Sequence, residues 1–243
     1  MTVPVQSLRF ADAREAADLA GFLRRLLHYD RAAAVRLQAG GGALAVFGRP
    51  PSFEVLAIRA VRLASTRDGA GAGGPADAHD FDATVSAGEL LESLDVEGPD
   101  AGAGSLPSPV TGPPWAGVLP PRGGWQECHP GLPGPLSLRT ALSAAVAEFR
   151  ARDEALPEER RTRAERDLIG RDIWSRTVGG TELPLRAVHA AQALGFLRSA
   201  PDFPVALLAS GAWLRLRTPF GAIALRRAGA AGGLGMLGVS VGG

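Results

Sequence analysis

The few residues whose types and spacing could do chemistry do not form a recognisable reactive group. Cys128 and His129 are neighbours in the sequence. A catalytic thiolate, however, needs an imidazole beside it in space and a lowered pKa. His79, Asp80 and Asp82 could bind a metal, but three residues of one acidic loop are few ligands for a protein site. We therefore predict no catalytic residue, no metal site and no cofactor.

Two glycine-rich patterns near residue 240 match known motifs without their structural context. Residues 233–238 spell the dinucleotide-binding fingerprint, which works only between a strand and the helix that receives the pyrophosphate. Residues 238–242 spell the nucleophile elbow around Ser240, which needs a following helix and downstream acid and His partners. No such elements follow in the sequence, so we expect both matches to be coincidences of composition.

Arginine supplies all 26 basic residues, and the sequence contains neither Lys nor Asn. Together with the excess of Ala and Gly, this usage is typical of a GC-rich coding sequence. A guanidinium binds phosphate or carboxylate in a bidentate fashion, so a basic surface would suit such partners. Residues 68–138 hold one Arg against ten acids, whereas 1–67 hold ten against five and 139–227 hold fifteen against ten. Two basic blocks therefore flank an acidic one.

Arginines on predicted helices and hairpins are candidate contacts to nucleic acid, because phosphates need positive charge at the spacing of their backbone. The candidates are Arg14, Arg25, Arg186, Arg215, Arg217, Arg226 and Arg227. The overall pI of 8.1 is lower than a dedicated nucleic-acid domain usually has. Trp115 and Trp125 lie in a Pro/Gly-rich segment, where they could dock on the core or bind a partner protein.

Hydrophobic spacing and turn signals predict the order β-α-β-β-β for the N-terminal part. The helix spans residues 12–28, with Asp12 and Glu15 as its capping pair. The predicted strands are 5–10, 33–38, 43–47 and 53–64. A loop over 66–80 then leads to a strand, 81–86, and to a helix capped by Ser86 and Glu89.

The second part is predicted to be mainly helical. Residues 98–135 contain ten Pro and nine Gly, which disfavour helix and strand alike. The predicted helices are 136–152, 157–176 and 184–198, followed by a strand at 205–208 and a hairpin at 213–217 and 222–227. The fold class is α+β, with antiparallel strands and packed helices in one or two closely packed subdomains.

The predicted divisions of the chain follow these changes in composition. We predict an N-terminal α+β subdomain (1–97), a Pro/Gly-rich connecting segment (98–135), a helical subdomain ending in a β-hairpin (136–228) and a flexible tail (229–243).

Two segments of the N-terminal part resemble the repeating unit of DNA sliding clamps. Residues 35–47 are similar to a clamp hairpin, and 81–91 to the clamp strand that enters the next helix; a looser similarity covers 185–197 with the final hairpin. Basic residues on the inner helices of clamps face DNA without reading its sequence, so the resemblance implies this role for Arg14 and Arg25. Alternatively, three helices and a hairpin are compatible with a winged-helix domain whose recognition helix is 185–197.

Cellular location and function follow mainly from what the sequence lacks. No apolar run is long enough to span a bilayer, no secretion signal is evident, and Cys128 has no second cysteine to pair with, so we expect a cytoplasmic protein. We predict a non-catalytic binding or scaffolding protein, with a protein partner or self-association favoured over nucleic acid. The alternatives are a nucleic-acid-binding protein, clamp-like or winged-helix-like, and an enzyme whose site is assembled from scattered Asp, Glu, His and Arg.

Overall fold

The computed structural model describes residues 7–64, 81–98, 100–128 and 131–227. Within them lie five α-helices and ten β-strands, which confirms the predicted α+β class. The helices are α1 (Ala13–Tyr29), α2 (Ala87–Ser93), α3 (Pro135–Glu154), α4 (Arg163–Ser175) and α5 (Leu185–Ala193). The strands are β1 (Ser7–Arg9), β2 (Ala34–Gly40), β3 (Ala43–Gly48), β4 (Leu56–Arg62), β5 (Asp82–Ser86), β6 (Ala103–Ser105), β7 (Gln126–Glu127), β8 (Ala206–Ser210), β9 (Trp213–Thr218) and β10 (Gly221–Arg226).

Local sequence signals position the first helices as predicted. Asp12 is the N-cap of α1, and its carboxylate accepts a hydrogen bond of 3.0 Å from the Glu15 amide. Ser86 caps α2 in the same way, accepting a bond of 3.4 Å from the Glu89 amide. On the apolar face of α1, Leu19 and Leu23 are completely buried.

Eight strands form one antiparallel sheet in the order β5-β2-β3-β4-β10-β9-β8-β7. The meander β2-β3-β4 follows α1, and the meander β8-β9-β10 follows α5, so the two halves have the same connectivity. They join where β4 pairs with β10, with Ile58 opposite Ala222 and Leu56 opposite Ala224. Strands β1 and β6 form a separate two-stranded sheet.

The main core lies on one face of the large sheet, between the strands and the helices. Alternate residues of each strand point into it, for example Leu44, Val46, Leu214 and Leu216. A smaller cluster of Phe47, Leu56, Ile58, Ala222 and Ala224 lies on the opposite face, which we call the outer face. Both faces of the sheet are therefore covered in part by apolar residues.

Three expectations about element bounds are wrong. The helix predicted over 157–176 is a short 3₁₀ turn, Glu158–Arg160, followed by α4, because Thr162 caps a new helix by accepting from the Glu165 amide at 3.3 Å. The helix predicted over 184–198 ends at Ala193, since Gly195 takes a left-handed conformation (φ +75°) there. Residues 98–135, expected to lack regular structure, include the short strands β6 and β7.

Several predicted features lie outside the described residues. These are the loop at 66–80, which includes His79 and Asp80, and also His129, the tail from 229 and both glycine-rich motifs. Among the described helices, none is long and apolar enough to cross a membrane.

A network of ion pairs joins α3 to α4. Arg176 donates to the Glu148 carboxylate from both of its terminal guanidinium nitrogens, at 2.7 and 2.9 Å, and to the Asp172 carboxylate at 2.8 Å. Arg152 contacts Asp172 at 2.5 Å. The hydrogen bonds from Arg176 lower the pKa of Glu148, and those from Arg152 and Arg176 lower the pKa of Asp172.

We expect the network to make the folded state sensitive to acid. Because the folded pKa values lie below the unfolded ones, the stabilisation is complete above the unfolded values, near 4, and is lost as the pH falls through the folded values. Urea unfolding midpoints measured at about pH 7 and about pH 3 should therefore differ less in Glu148→Gln than in the wild type. An equal difference in both proteins would contradict this assignment.

Candidate anion-binding site on the outer face

Residues 106–125, which we call the strap, cross the outer face from β5 to β8. At one end the Val110 amide donates to the Thr84 carbonyl at 2.8 Å. At the other end the Ser210 hydroxyl donates to the Gly123 carbonyl at 3.2 Å. Between them Trp115 and Leu119 pack against the outer-face cluster. The Pro/Gly-rich composition thus produces an extended segment that is anchored by its few apolar side chains.

A cavity of about 470 Å³ lies between the strap and strands β2, β3, β4 and β9. Small and apolar side chains, including Ala43, Ala45 and Ile58, form its floor, and Pro120 and Pro121 form one wall. Its cationic groups are Arg122 of the strap and Arg215 of β9. No Asp or Glu is among the described residues that line it.

Arg215 is a half-buried cation without a carboxylate partner among the described residues. Its guanidinium lies over the ring of Trp125, 5.5 Å from the centroid. Its Nε is buried and has no hydrogen-bond acceptor within the described structure. Burial lowers the pKa of Arg215, and the nearby charge of Arg217 lowers it further. A buried charge without a partner is unfavourable. A bound anion would offset both the burial of the Arg215 charge and the repulsion from Arg217.

The carboxylate beside this cavity, Asp82, is already paired. Arg36 donates to it at 2.5 Å and Gln38 at 3.0 Å. The hydrogen bond from Arg36 is the main reason that the pKa of Asp82 is lowered, and the charge of Arg122 contributes. Asp82 is therefore ionised, and its oxygens accept hydrogen bonds from side chains of β2. Arg122 itself has no ion pair with a described residue.

Five residues predicted from the sequence lie together on the outer face. Trp115 and Trp125 belong to the strap, whereas Arg215 and Arg217 of β9 and Arg226 of β10 belong to the sheet. Arg217 and Arg226 are exposed, and the guanidinium of Arg226 lies 4.9 Å from the ring centre of Trp213. The outer face thus combines arginines with indole rings.

The other four predicted residues are elsewhere. Arg14 and Arg25 are exposed on α1, and Arg25 donates to the Gly21 carbonyl of its own helix at 3.1 Å. Arg186 is half-buried on α5, against which α3 and α4 pack. Arg227 pairs with Glu182 at 2.5 Å. These arginines do not share a surface with Arg215.

The sequence reasoning missed Arg122. Its residue type carries no motif, but it is the single Arg among residues 68–138, beside Pro120 and Pro121. The sequence signal for a binding role of Arg122 is a lone cation in a Pro-rich segment that also contains two Trp.

Reactive groups are sparse in the described part of the chain. Cys128 is half-buried and unpaired with another cysteine. No group of three or more His, Cys, Asp or Glu residues that could hold a metal occurs among the described residues.

Two family models match most of the chain between them. Residues 3–117 match one described as a domain of unknown function, DUF8010. Residues 120–230 match a second, DUF8185, with the same description. The change from one to the other falls inside the strap. The comparison with curated proteins gives no match.

Among solved structures, the chain is similar to a DNA polymerase sliding clamp from Pseudomonas aeruginosa, crystallised with a ligand. The TM-score is 0.41 and the sequence identity 13%, over 92% of this chain and 64% of the clamp chain. The chain therefore spans less than two thirds of the clamp's length. This match confirms the resemblance to a clamp repeat that residues 35–47 and 81–91 predict, and it shows that the resemblance is weak.

Proposed function

We propose that this is a non-catalytic binding protein that holds an acidic segment of a partner protein in the outer-face cavity. The observation that carries the proposal is Arg215, a half-buried guanidinium beside a second arginine, Arg122, in a cavity where no described residue supplies a carboxylate. A carboxylate placed between them would accept charge-assisted hydrogen bonds that no described residue accepts.

The shape of the cavity favours a protein segment over a nucleic-acid backbone. Binding a phosphate backbone needs a track of cations, whereas the two guanidiniums here belong to one cavity of about 470 Å³ with an apolar floor. Arginine and Trp around a desolvated pocket are the typical composition of energetically dominant protein contacts. A side chain such as Leu next to an acidic residue would match both the floor and the charge.

Replacing Arg215 by Gln should abolish most of this binding without harming the fold. The probe is a fluorescein-labelled peptide rich in Glu and Leu, followed by fluorescence anisotropy. We expect Arg215→Gln to weaken it about tenfold or more, since it removes a half-buried charge contact, and Arg122→Gln to weaken it less, because Arg122 is exposed. Because Arg215 has no acidic partner among the residues that the structure describes, the melting temperature of Arg215→Gln should be unchanged or higher, as is usual for a residue that serves binding.

The matched control is Arg163→Gln on α4, which also removes one positive charge. The Arg163 side chain is 96% exposed and lies 3.9 Å from its nearest carboxylate, so this variant should bind as the wild type does. An equal loss in Arg163→Gln would mean that the peptide senses only net charge. Tighter binding of a single-stranded oligonucleotide, with a steep salt dependence, would assign the face to nucleic acid instead.

A further inference from the structure

A second cavity, of about 490 Å³, lies in the helical layer and is separate from the outer-face site. We call it the helical cleft. Tyr29 of α1, one face of α3, and His189, Gln192 and Ala193 of α5 line it. Its volume is within the range of pockets that bind small molecules. No Asp or Glu is among the described residues that line it.

The charge of the helical cleft comes from two arginines of α3. Residues 139, 143, 146 and 150 lie on one side of the helix, so Arg139 and Arg150 stand near opposite ends of this face, about 16 Å apart along the axis. Neither has an ion pair with a described residue, whereas Arg152 of α3 and Arg166 of α4 do. The cleft is therefore positively charged at both ends.

Polar and aromatic groups line the middle of the cleft. The side-chain oxygen of Gln192 is buried and receives no hydrogen bond from a described residue. His189 stacks on Trp174, with ring centres 4.6 Å apart, and meets the Phe53 ring edge-on at 4.9 Å. Burial lowers the pKa of His189, so the imidazole is neutral near pH 7. Leu142 and Val146 add apolar surface.

We propose that the helical cleft binds a small organic anion with a planar ring and a hydrogen-bond donor. Arg139 or Arg150 would hold the carboxylate, sulfonate or phosphate group. A rotation of the Gln192 side chain would bring its buried oxygen to the donor, and this bond would remove the cost of burying the oxygen unpaired. The ring would lie against Tyr29, Val146 and the neutral His189, where an additional positive charge would be unfavourable.

The probe for the test is 8-anilinonaphthalene-1-sulfonate, which has a sulfonate, an N–H donor and fused rings, and which fluoresces strongly when it leaves water. We expect one bound molecule per chain. The double variant Arg139→Gln/Arg150→Gln should weaken binding about tenfold or more, and Gln192→Leu about threefold to tenfold. Indole-3-acetate also has an anionic group, in this case a carboxylate, together with an N–H donor and fused rings. It should displace the dye from the wild type.

Two controls separate this site from general dye binding. Arg171→Gln on α4 removes an exposed charge that has no ion pair among the described residues, and Arg163→Gln removes another exposed charge of the same helix; both should bind the dye normally. Far-UV and near-UV circular dichroism would confirm that each variant is folded. Unchanged affinity in the double variant, or an equal loss of affinity in Arg163→Gln, would overturn the proposal.

Discussion

Replacing Phe22 by Ala should lower the free energy of unfolding by about 3–5 kcal/mol, the range for truncating a buried phenylalanine. Phe22 is only 1% exposed, on the apolar face of α1. Its ring stacks on Phe196, which follows α5, with centres 5.6 Å apart. The substitution therefore leaves a cavity between α1 and the segment that follows α5. Since small domains have about 5–15 kcal/mol in total, urea unfolding should show the loss clearly.

The control for Phe22 is Leu168→Ala on α4, because Leu168 is 54% exposed and should cost no more than about 0.5 kcal/mol. The β4–β10 pairing makes one sheet of both halves, so we expect the wild type to unfold in a single transition. A loss below about 1 kcal/mol in Phe22→Ala would show that the surrounding side chains close the cavity.

Local chemistry made the N-terminal elements predictable. The caps at Asp12 and Ser86 act through bonds to residues three positions along the chain, and the glycines at 40–42 fix a hairpin between adjacent strands. Such signals depend on few neighbours, so they survive in the final structure.

The features that the sequence did not reveal depend on distant residues. The sequence predicts one helix over 157–176, but Thr162 caps a new one, and Arg176 pairs with Glu148 of α3 as well as with Asp172. The strands β6 and β7 form because partners from other parts of the chain, β1 and β8, supply their hydrogen bonds. Propensity alone does not contain this information.

The candidate site shows the same division. The sequence predicts Arg215 and Arg217 as contacts to nucleic acid, because they are basic residues of a predicted hairpin. Arg122 was missed because only the path of the strap brings it to the same cavity. The anchoring of Trp115 on the cluster of Phe47 and Ile58 defines that path, and the apolar residues concerned are far apart in the sequence. Tertiary packing, not motif, assembles this site.

A second large effect is expected at Arg59, which joins the two halves of the sheet. This guanidinium is 6% exposed, donates to the Asp18 carboxylate of α1 at 2.7 Å, and donates to the Phe220 carbonyl before β10 at 2.5 Å. Asp18→Ala leaves the buried cation without its anion. We expect a loss of about 2 kcal/mol, less than the about 3–5 kcal/mol of a fully buried pair, because the Asp18 side chain is 38% exposed.

A double variant separates the uncompensated charge of Arg59 from the packing around it. Replacing a buried ion pair by apolar groups is often close to neutral, whereas removing one partner is costly. Arg59→Met added to Asp18→Ala should therefore restore part of the lost stability, although the Phe220 carbonyl loses its donor. Asp167→Ala, which removes an exposed partner of Arg163, should cost no more than about 0.5 kcal/mol. A double variant less stable than Asp18→Ala would contradict this expectation. It would show that the hydrogen bond to the Phe220 carbonyl contributes more than the unpaired charge of Arg59 costs.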